Sequence, residues 1–225
     1  MQSRIRLLMA TSAIYLGCVT HANANLLTNG SFEFGTLVND GNATQTFSAG
    51  PTAITGWSAV GRQVSWIEAG NPFLLSAQDG SRFLDLTAYN TGAPFGGVTQ
   101  SIATTIGNQY SLSFFLGSFT TRWGGPPISV LASAGSTSQT FTNSAVTTSS
   151  TWTPFAMTFT ATANTTAITL TGSAGVEYIG LDNVDVEPAG AVGAPEPATY
   201  ILIACGLIAL RFIAGRAGRP DKART

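Results

Sequence analysis

The stretch Tyr110-Ser111-Leu112-Ser113-Phe114-Phe115-Leu116 places apolar or aromatic side chains at 110, 112, 114 and 116. This is the two-residue period of a strand with one face in a core and the other in water. The same reading, in short runs cut by Gly, Pro, Asn and Ser, predicts strands over residues 64–68, 82–87, 97–102, 128–132, 155–160, 167–171 and 178–186. No segment between the two chain ends keeps helical periodicity over three turns. Short strands at regular spacing with turn residues between them predict an all-β fold, an antiparallel sandwich or barrel. Its threonine-rich outer faces suit a pleated surface exposed to water.

The 225 residues suffice for one domain with segments at its ends. Charged residues make up 9%, against about 25% in typical soluble proteins, which excludes a coiled coil and a nucleic-acid binder. The formal net charge of −1 hides an uneven distribution. Residues 25–194 hold three bases (Arg62, Arg82, Arg122) and nine acids, a net −6, whereas residues 211–225 hold five bases and the single acid Asp221. A phosphate-binding surface needs clustered bases, and the middle of the chain has none.

Residues 1–24 begin with Arg4 and Arg6, continue through an apolar stretch from Leu7 to Cys18, and close on Ala22-Asn23-Ala24. Basic, apolar, then small is the order of a cleaved secretory signal, with Ala22 and Ala24 flanking the cleavage site. A buried first helix and a lipoprotein signal around Leu16-Gly17-Cys18 are the competing readings, the latter opposed by Tyr15 where a small aliphatic residue is usual.

Near the other end, residues 199–210 carry no charge and are followed by Arg211, Phe212-Ile213-Ala214 and a scattered basic tail. About 20 residues are needed to span the hydrocarbon core, so residues 199–214 form a short transmembrane segment. The bases beyond it place residues 215–225 in the cytoplasm and the preceding domain outside the inner membrane. Before the segment, Ala194-Pro195-Glu196-Pro197-Ala198 sets two prolines around one carboxylate, which forces an extended, solvated backbone. In this order, Pro195-Glu196-Pro197, the apolar run with Gly206 and the basic end resemble the PEP-CTERM sorting signal, with 190–198 as linker and sorting motif. The arginines are more scattered than is usual there. The resemblance implies a Gram-negative host, recognition of Pro195, Glu196 and Pro197 by an exosortase, and a place on the cell surface or in an exopolysaccharide or biofilm matrix.

The intervening domain, residues 25–189, is large enough to bury roughly 70% of its unfolded surface. Cys18 and Cys205 lie in the end segments, so the domain has no disulfide. Several of its blocks occur in a telling order: Asn25-Leu26-Leu27-Thr28-Asn29-Gly30-Ser31-Phe32-Glu33, Gly56-Trp57, Asp79-Gly80-Ser81-Arg82-Phe83-Leu84-Asp85-Leu86, Gln100-Ser101, and Ile179-Gly180-Leu181-Asp182-Asn183-Val184-Asp185-Val186. Together they resemble the galactose-binding-like jelly-roll β-sandwich of many carbohydrate-binding modules. In that fold the first and last strands lie close together, which implies that Glu33 and Asp182 meet and, with backbone carbonyls, hold a structural Ca²⁺. The chemistry suits six to eight oxygen ligands. The alternative has both carboxylates capping turns by accepting backbone N–H bonds.

His21, the only histidine, lies in the leader, so the domain can build neither a Ser-His-Asp or Cys-His centre nor a His-ligated transition-metal site. Carboxylate chemistry remains open, since a glycosidase needs two carboxyls about 5 to 9.5 Å apart. Glu33, Glu68, Asp79, Asp85 and Glu177 are the candidates, although Asp79 beside Gly80 suits a turn and Asp85 suits a strand's polar face. The sequence favours a non-catalytic protein with glycan as a partner, because aromatic rings stack on the apolar faces of sugars. Trp57 and Trp66 fall in strand-like contexts and are expected in the core. Trp123, in the Gly- and Pro-rich loop 120–127, and Tyr89 and Phe95, in the loop 88–97, are the candidate carbohydrate-binding residues. The competing reading folds these rings back onto the core. A structural adhesin without ligand and a carboxylate enzyme on polysaccharide are the alternatives.

Overall fold

The structure, a computed structural model, describes residues 24–73, 75–90, 92–118, 125–145, 151–175 and 178–189. They lie in one compact unit, Asn23–Gly190. The leader, the Pro-Glu-Pro linker, the apolar segment and the basic tail fall outside the described residues, apart from Ala24, which is exposed and outside any strand. Among the described residues, no helix is long and apolar enough to cross a membrane.

Ten strands follow one another: β1 (Thr44–Pro51), β2 (Ser58–Glu68), β3 (Arg82–Asp85), β4 (Gly96–Ala103), β5 (Gln109–Ser118), β6 (Ile128–Ala134), β7 (Thr137–Asn143), β8 (Thr151–Thr160), β9 (Thr165–Ala174) and β10 (Gly180–Pro188). Four antiparallel pairs are nested: β3 with β10, β4 with β9, β5 with β8 and β6 with β7. The second half of the chain therefore retraces the first, as one long hairpin turning at Gly135, whose φ is +59°. Pairing of β5 with β10 and of β6 with β9 rolls this hairpin up. The result is two four-stranded layers, β3-β10-β5-β8 and β7-β6-β9-β4, the connectivity of a jelly roll.

The β1–β2 hairpin joins the layers along one seam. Residues 58–61 of β2 pair with β4, residues 65–68 pair with β3, and β1 follows the other side throughout. Where β2 passes from one layer to the other, its Gln63 carbonyl lies against Gly96. A Cβ at Gly96 would come within 1.7 Å of that oxygen, so no larger residue fits there.

Alternation supplies the core. Val98, Leu112, Ile168, Leu170, Leu181 and Val186 are fully buried, and burying a side chain of this kind stabilises by about 1.5–3 kcal/mol. Phe114 of β5 meets Phe141 of β7 edge-on at 5.3 Å, and Phe141 meets Phe155 of β8 at 5.6 Å, which carries the core across the two layers. A smaller apolar cluster of Ile67, Leu75 and Phe83, flanked by Trp152 and Tyr178, lies apart from this core. Ile67 and Phe83 alternate with the core residues Trp66 and Leu84, so the cluster occupies the outer face of the β3 layer, under the segment 69–81.

Each of the eight predicted strands overlaps an observed one. The two that alternation does not reveal are β1 and β7, each with one aromatic, Phe47 or Phe141, among polar residues. Trp57 and Trp66 are buried, at 3% and 0% exposure. Asp85 departs from expectation: it is 2% exposed, because Thr87 and Ile179 cover the polar face to which it points.

Candidate functional site

The blocks that mark the sequence are brought together by hydrogen bonds. The segment from Asn25 runs beside β10: the Leu26 N–H donates to the Val186 carbonyl and the Val184 N–H to the Gly30 carbonyl. Asn29 and Phe32 take φ values of +59° and +58°, which turn the chain sharply. The Asn29 side chain closes this turn through the N–H and carbonyl of Phe34. The indole N–H groups of Trp57 and Trp66 donate to the carbonyls of Asn29 and Phe32, each at 2.9 Å. Arg82 lies 4.7 Å from the Trp66 ring centre, donates to the Glu33 carbonyl and pairs with Glu68 at 2.7 Å.

Glu33 and Asp182 meet on the loop 78–82. Asp182 Oδ2 accepts the N–H groups of Gln78 at 2.8 Å and Asp79 at 3.1 Å, and its Oδ1 accepts that of Asn183 at 2.7 Å. Glu33 Oε1 accepts the N–H groups of Ser81 at 2.8 Å and Arg82 at 2.7 Å, while its Oε2 accepts the Ser81 hydroxyl at 2.9 Å. Between them Gly80, at φ +65°, leaves the space a Cβ would take from Glu33. The residues do not fit the Ca²⁺ site that the resemblance implies. N–H dipoles directed at a carboxylate stand where a cation would compete with them, and Ca²⁺ needs six to eight oxygens. Among the described residues, no three His, Cys, Asp or Glu side chains are grouped to hold a metal. The geometry is the turn-capping alternative. Burial pushes the Asp182 carboxyl up to about 7, against the downward pull of its N–H donors and with Asp79 adding to the rise.

The aromatic candidates separate. Trp123 lies outside the described residues. Phe95 departs from expectation: at 4% exposure it packs in the core against Gly172, because it directly precedes β4 and its carbonyl is held by the Arg62 N–H of β2. Tyr89 is 68% exposed and stands on a tight turn in which the Asn90 N–H donates to the Thr87 carbonyl at 2.9 Å. Ala88 takes φ +49° within this turn. From below, the buried Asp85 carboxylate accepts the Thr87 N–H and hydroxyl, and burial raises its own carboxyl to about 6. At the tip, the Tyr89 hydroxyl donates to Asp40 Oδ2 at 3.2 Å. Hydrogen bonds from Thr44 and Asn42 lower the Asp40 carboxyl and keep it charged. Phe34 and Val38, 67% and 66% exposed, lie on the segment leading to Asp40. Sequence reading missed Asp40, whose signal was the turn Asn39-Asp40-Gly41-Asn42.

Three of the described candidate acids are engaged by the fold. Glu33 and Asp85 cap turns, Glu68 is held by Arg82, and Glu177 lies outside the described residues. The backbone of Asp79 belongs to the clamped loop.

The nested hairpin, rolled into two antiparallel layers, defines an all-β jelly-roll domain. The family described as "Protein of unknown function (DUF642)" matches residues 25–179, and the chain belongs to that family. No curated protein matches the sequence. Among solved structures, TmCBM61 in complex with β-1,4-galactotriose is 16% identical, with 73% of this chain and 99% of that one covered and a TM-score of 0.47. The CBM22-1 xylan-binding domain of Paenibacillus barcinonensis Xyn10C is 17% identical over 69% and 99% of the two chains, with a TM-score of 0.41. The cleaved K1 adhesin domain of Lys-gingipain from Porphyromonas gingivalis is 13% identical over 65% and 99%, with a TM-score of 0.42.

Proposed function

We propose that this is a non-catalytic exported protein of the cell surface or extracellular matrix that associates with exopolysaccharide and binds glycan through the Tyr89 loop. The observation that carries the reading is the exposed Tyr89 ring, braced from below by Asp85 and Thr87 and at its tip by Asp40. A rigid, solvated ring beside a charged acceptor offers a sugar both an apolar face to stack on and a partner for its hydroxyls. The domain contains no histidine or cysteine for a nucleophilic centre, and of its described candidate acids Glu33, Asp85 and Glu68 hold the fold, which favours binding over catalysis. Export rests on the leader 1–24, and sorting by an exosortase rests on Pro195-Glu196-Pro197 before the apolar segment.

Binding to an array of bacterial and plant glycans, wild type beside Tyr89→Ala, tests the site. The variant is expected to fold normally and lose most of the signal; equal binding by both would remove Tyr89 from the site. Mass spectrometry of the C-terminus of protein from an exosortase-bearing host tests the sorting. An end close to Pro195 is expected, and an intact Thr225 in mature protein would refute processing.

A further inference from the structure

The two layers differ in charge. β3 and β10 carry Arg82, Asp85, Asp182, Asp185 and Glu187, whereas β4, β6, β7 and β9 contain no Asp, Glu, Lys or Arg. In the charge-free layer the outward side chains line up across the strands. Ser138 faces Ser133, Ser133 faces Thr169, Thr169 faces Thr99, and Thr99 faces Ser58 of β2. Five hydroxyls thus form a row perpendicular to the strands, and their inward neighbours Ala132, Leu170, Val98 and Ala59 are buried. One step along, Thr140, Leu131 and Thr171 form a parallel row in which Leu131 is 39% exposed.

The hydrogen bonds give the middle of the row a direction. The Thr99 hydroxyl donates to the Ile168 carbonyl at 3.1 Å and lies 2.9 Å from the Thr169 hydroxyl. A hydroxyl has one proton, so Thr169 donates to Thr99. Both protons are then used, and the lone pairs that remain are acceptors. The middle of the row thus accepts donors from a partner, and the charge-free layer suits a neutral one. Carboxylated or sulfated polymers bring acceptors and negative charge to a domain already at net −6. Strands lie about 4.7–4.9 Å apart, close to the length of one pyranose in an extended chain, so consecutive hydroxyls of the row fall at consecutive sugars.

We infer that the outer face of the β7-β6-β9-β4 layer is a second glycan surface, which takes a neutral polysaccharide laid across the strands with Leu131 against a sugar ring. This rests on the reading of the domain as glycan-binding and extends it from the Tyr89 loop to a sheet face.

Affinity electrophoresis of the full chain in mild detergent, through native gels holding neutral galactan, xylan or mixed-linkage β-glucan, or acidic alginate, tests it. Thr169→Arg places a charge in the row, the pair Thr99→Val and Thr169→Val removes hydroxyls while keeping shape, and Tyr89→Ala leaves the face intact. Retardation by a neutral gel is expected to fall by about tenfold in affinity for Thr169→Arg and to fall for the valine pair, which decides the matter should the arginine variant unfold. Loss in Tyr89→Ala with none in the face variants would overturn this inference and leave the proposed function standing. Retardation by alginate alone, or a wild-type dimer that Thr169→Arg dissociates, would also overturn it. A wild type retarded by no gel would remove both readings.

Discussion

Glu33 and Asp182 divide one loop between them, Asp182 taking the N–H groups of Gln78 and Asp79 and Glu33 those of Ser81 and Arg82. The loop leaves β3 short and turns the segment 69–81 over the outer face of its layer, so these carboxylates hold the cover of the second apolar cluster. Removing an acceptor leaves part-buried donors without their partner, which costs more than a hydrogen bond contributes. Asp182→Ala leaves three N–H groups without it and is expected to lower stability by about 3 kcal/mol. Glu33→Gln keeps an amide oxygen for two donors and is expected to lose about 1 kcal/mol. Urea midpoints at constant m-value measure both, and a smaller loss for Asp182→Ala than for Glu33→Gln would contradict the assignment.

The buried carboxylates give stability an unusual pH dependence. Asp182 and Asp85 titrate near 7 and 6 in the folded domain, against 3.8 ordinarily. Between those values the folded state holds protons that the unfolded state has released, so stability falls as pH rises from about 4 to 7. The domain has no histidine to confuse the window. The exposed Asp40, lowered chiefly by Thr44, acts in the opposite sense; its effect is small in water and is confined to pH near or below 4. The urea midpoint is expected to be higher at pH 5 than at pH 8, with a flatter profile in Asp182→Asn. A midpoint that climbs across this range would refute the burial of these groups.

The strands were legible wherever one face is apolar, as in Tyr110 to Leu116, because alternation records burial directly. β1 and β7 were hidden because each buries little more than one ring, Phe47 or Phe141. The sequence blocks around Asn29, Asp79 and Asp182 identified residues that meet, but not what they do on meeting. Whether Glu33 and Asp182 hold a cation or cap a loop depends on the direction of N–H groups at Gln78 to Arg82, which side-chain identity does not encode. Phe95 and Tyr89 show the same limit: two aromatics of one loop, one turned into the core and one outward. The cross-strand hydroxyl row needs register, which no single strand carries.

With the oxygens of Glu33 and Asp182 taken by N–H and O–H donors, the loop 78–82 predicts a stability that does not respond to calcium. A ligand that binds only the folded state raises the melting temperature with its concentration. Addition of millimolar CaCl₂ to chelator-treated protein is expected to leave the thermal midpoint unchanged. A rise of several degrees, abolished by Glu33→Gln, would restore the cation reading and require the loop 78–82 to rearrange around it.

Trp152 supplies the last test of the cover over the β3 layer. It pairs with Gly117 on β5, which pairs with Gly180 on β10, and the indole lies across both glycines. A Cβ at Gly117 would come within 2.6 Å of its ring carbons, and one at Gly180 within 3.1 Å. The ring continues edge-on to Phe83 at 5.8 Å, and its N–H donates to the Ser76 carbonyl at 2.9 Å. The absent side chains therefore make room for a strap that ties β8 to the segment 69–81. Gly117→Val adds volume to a strand position with ordinary φ, so its effect comes from the displaced indole and not from backbone strain. It is expected to cost about 2–3 kcal/mol through overpacking and the broken bond to Ser76, with tryptophan emission shifted to the red. Trp152→Phe retains the ring contact, loses the N–H, and is expected to cost about 1 kcal/mol. Because the strap lies outside the main core, hydrogen exchange should quicken first at residues 75–81 in both variants. Uniform quickening across β4 and β9 would mean that Trp152 supports the whole sandwich and not its cover alone.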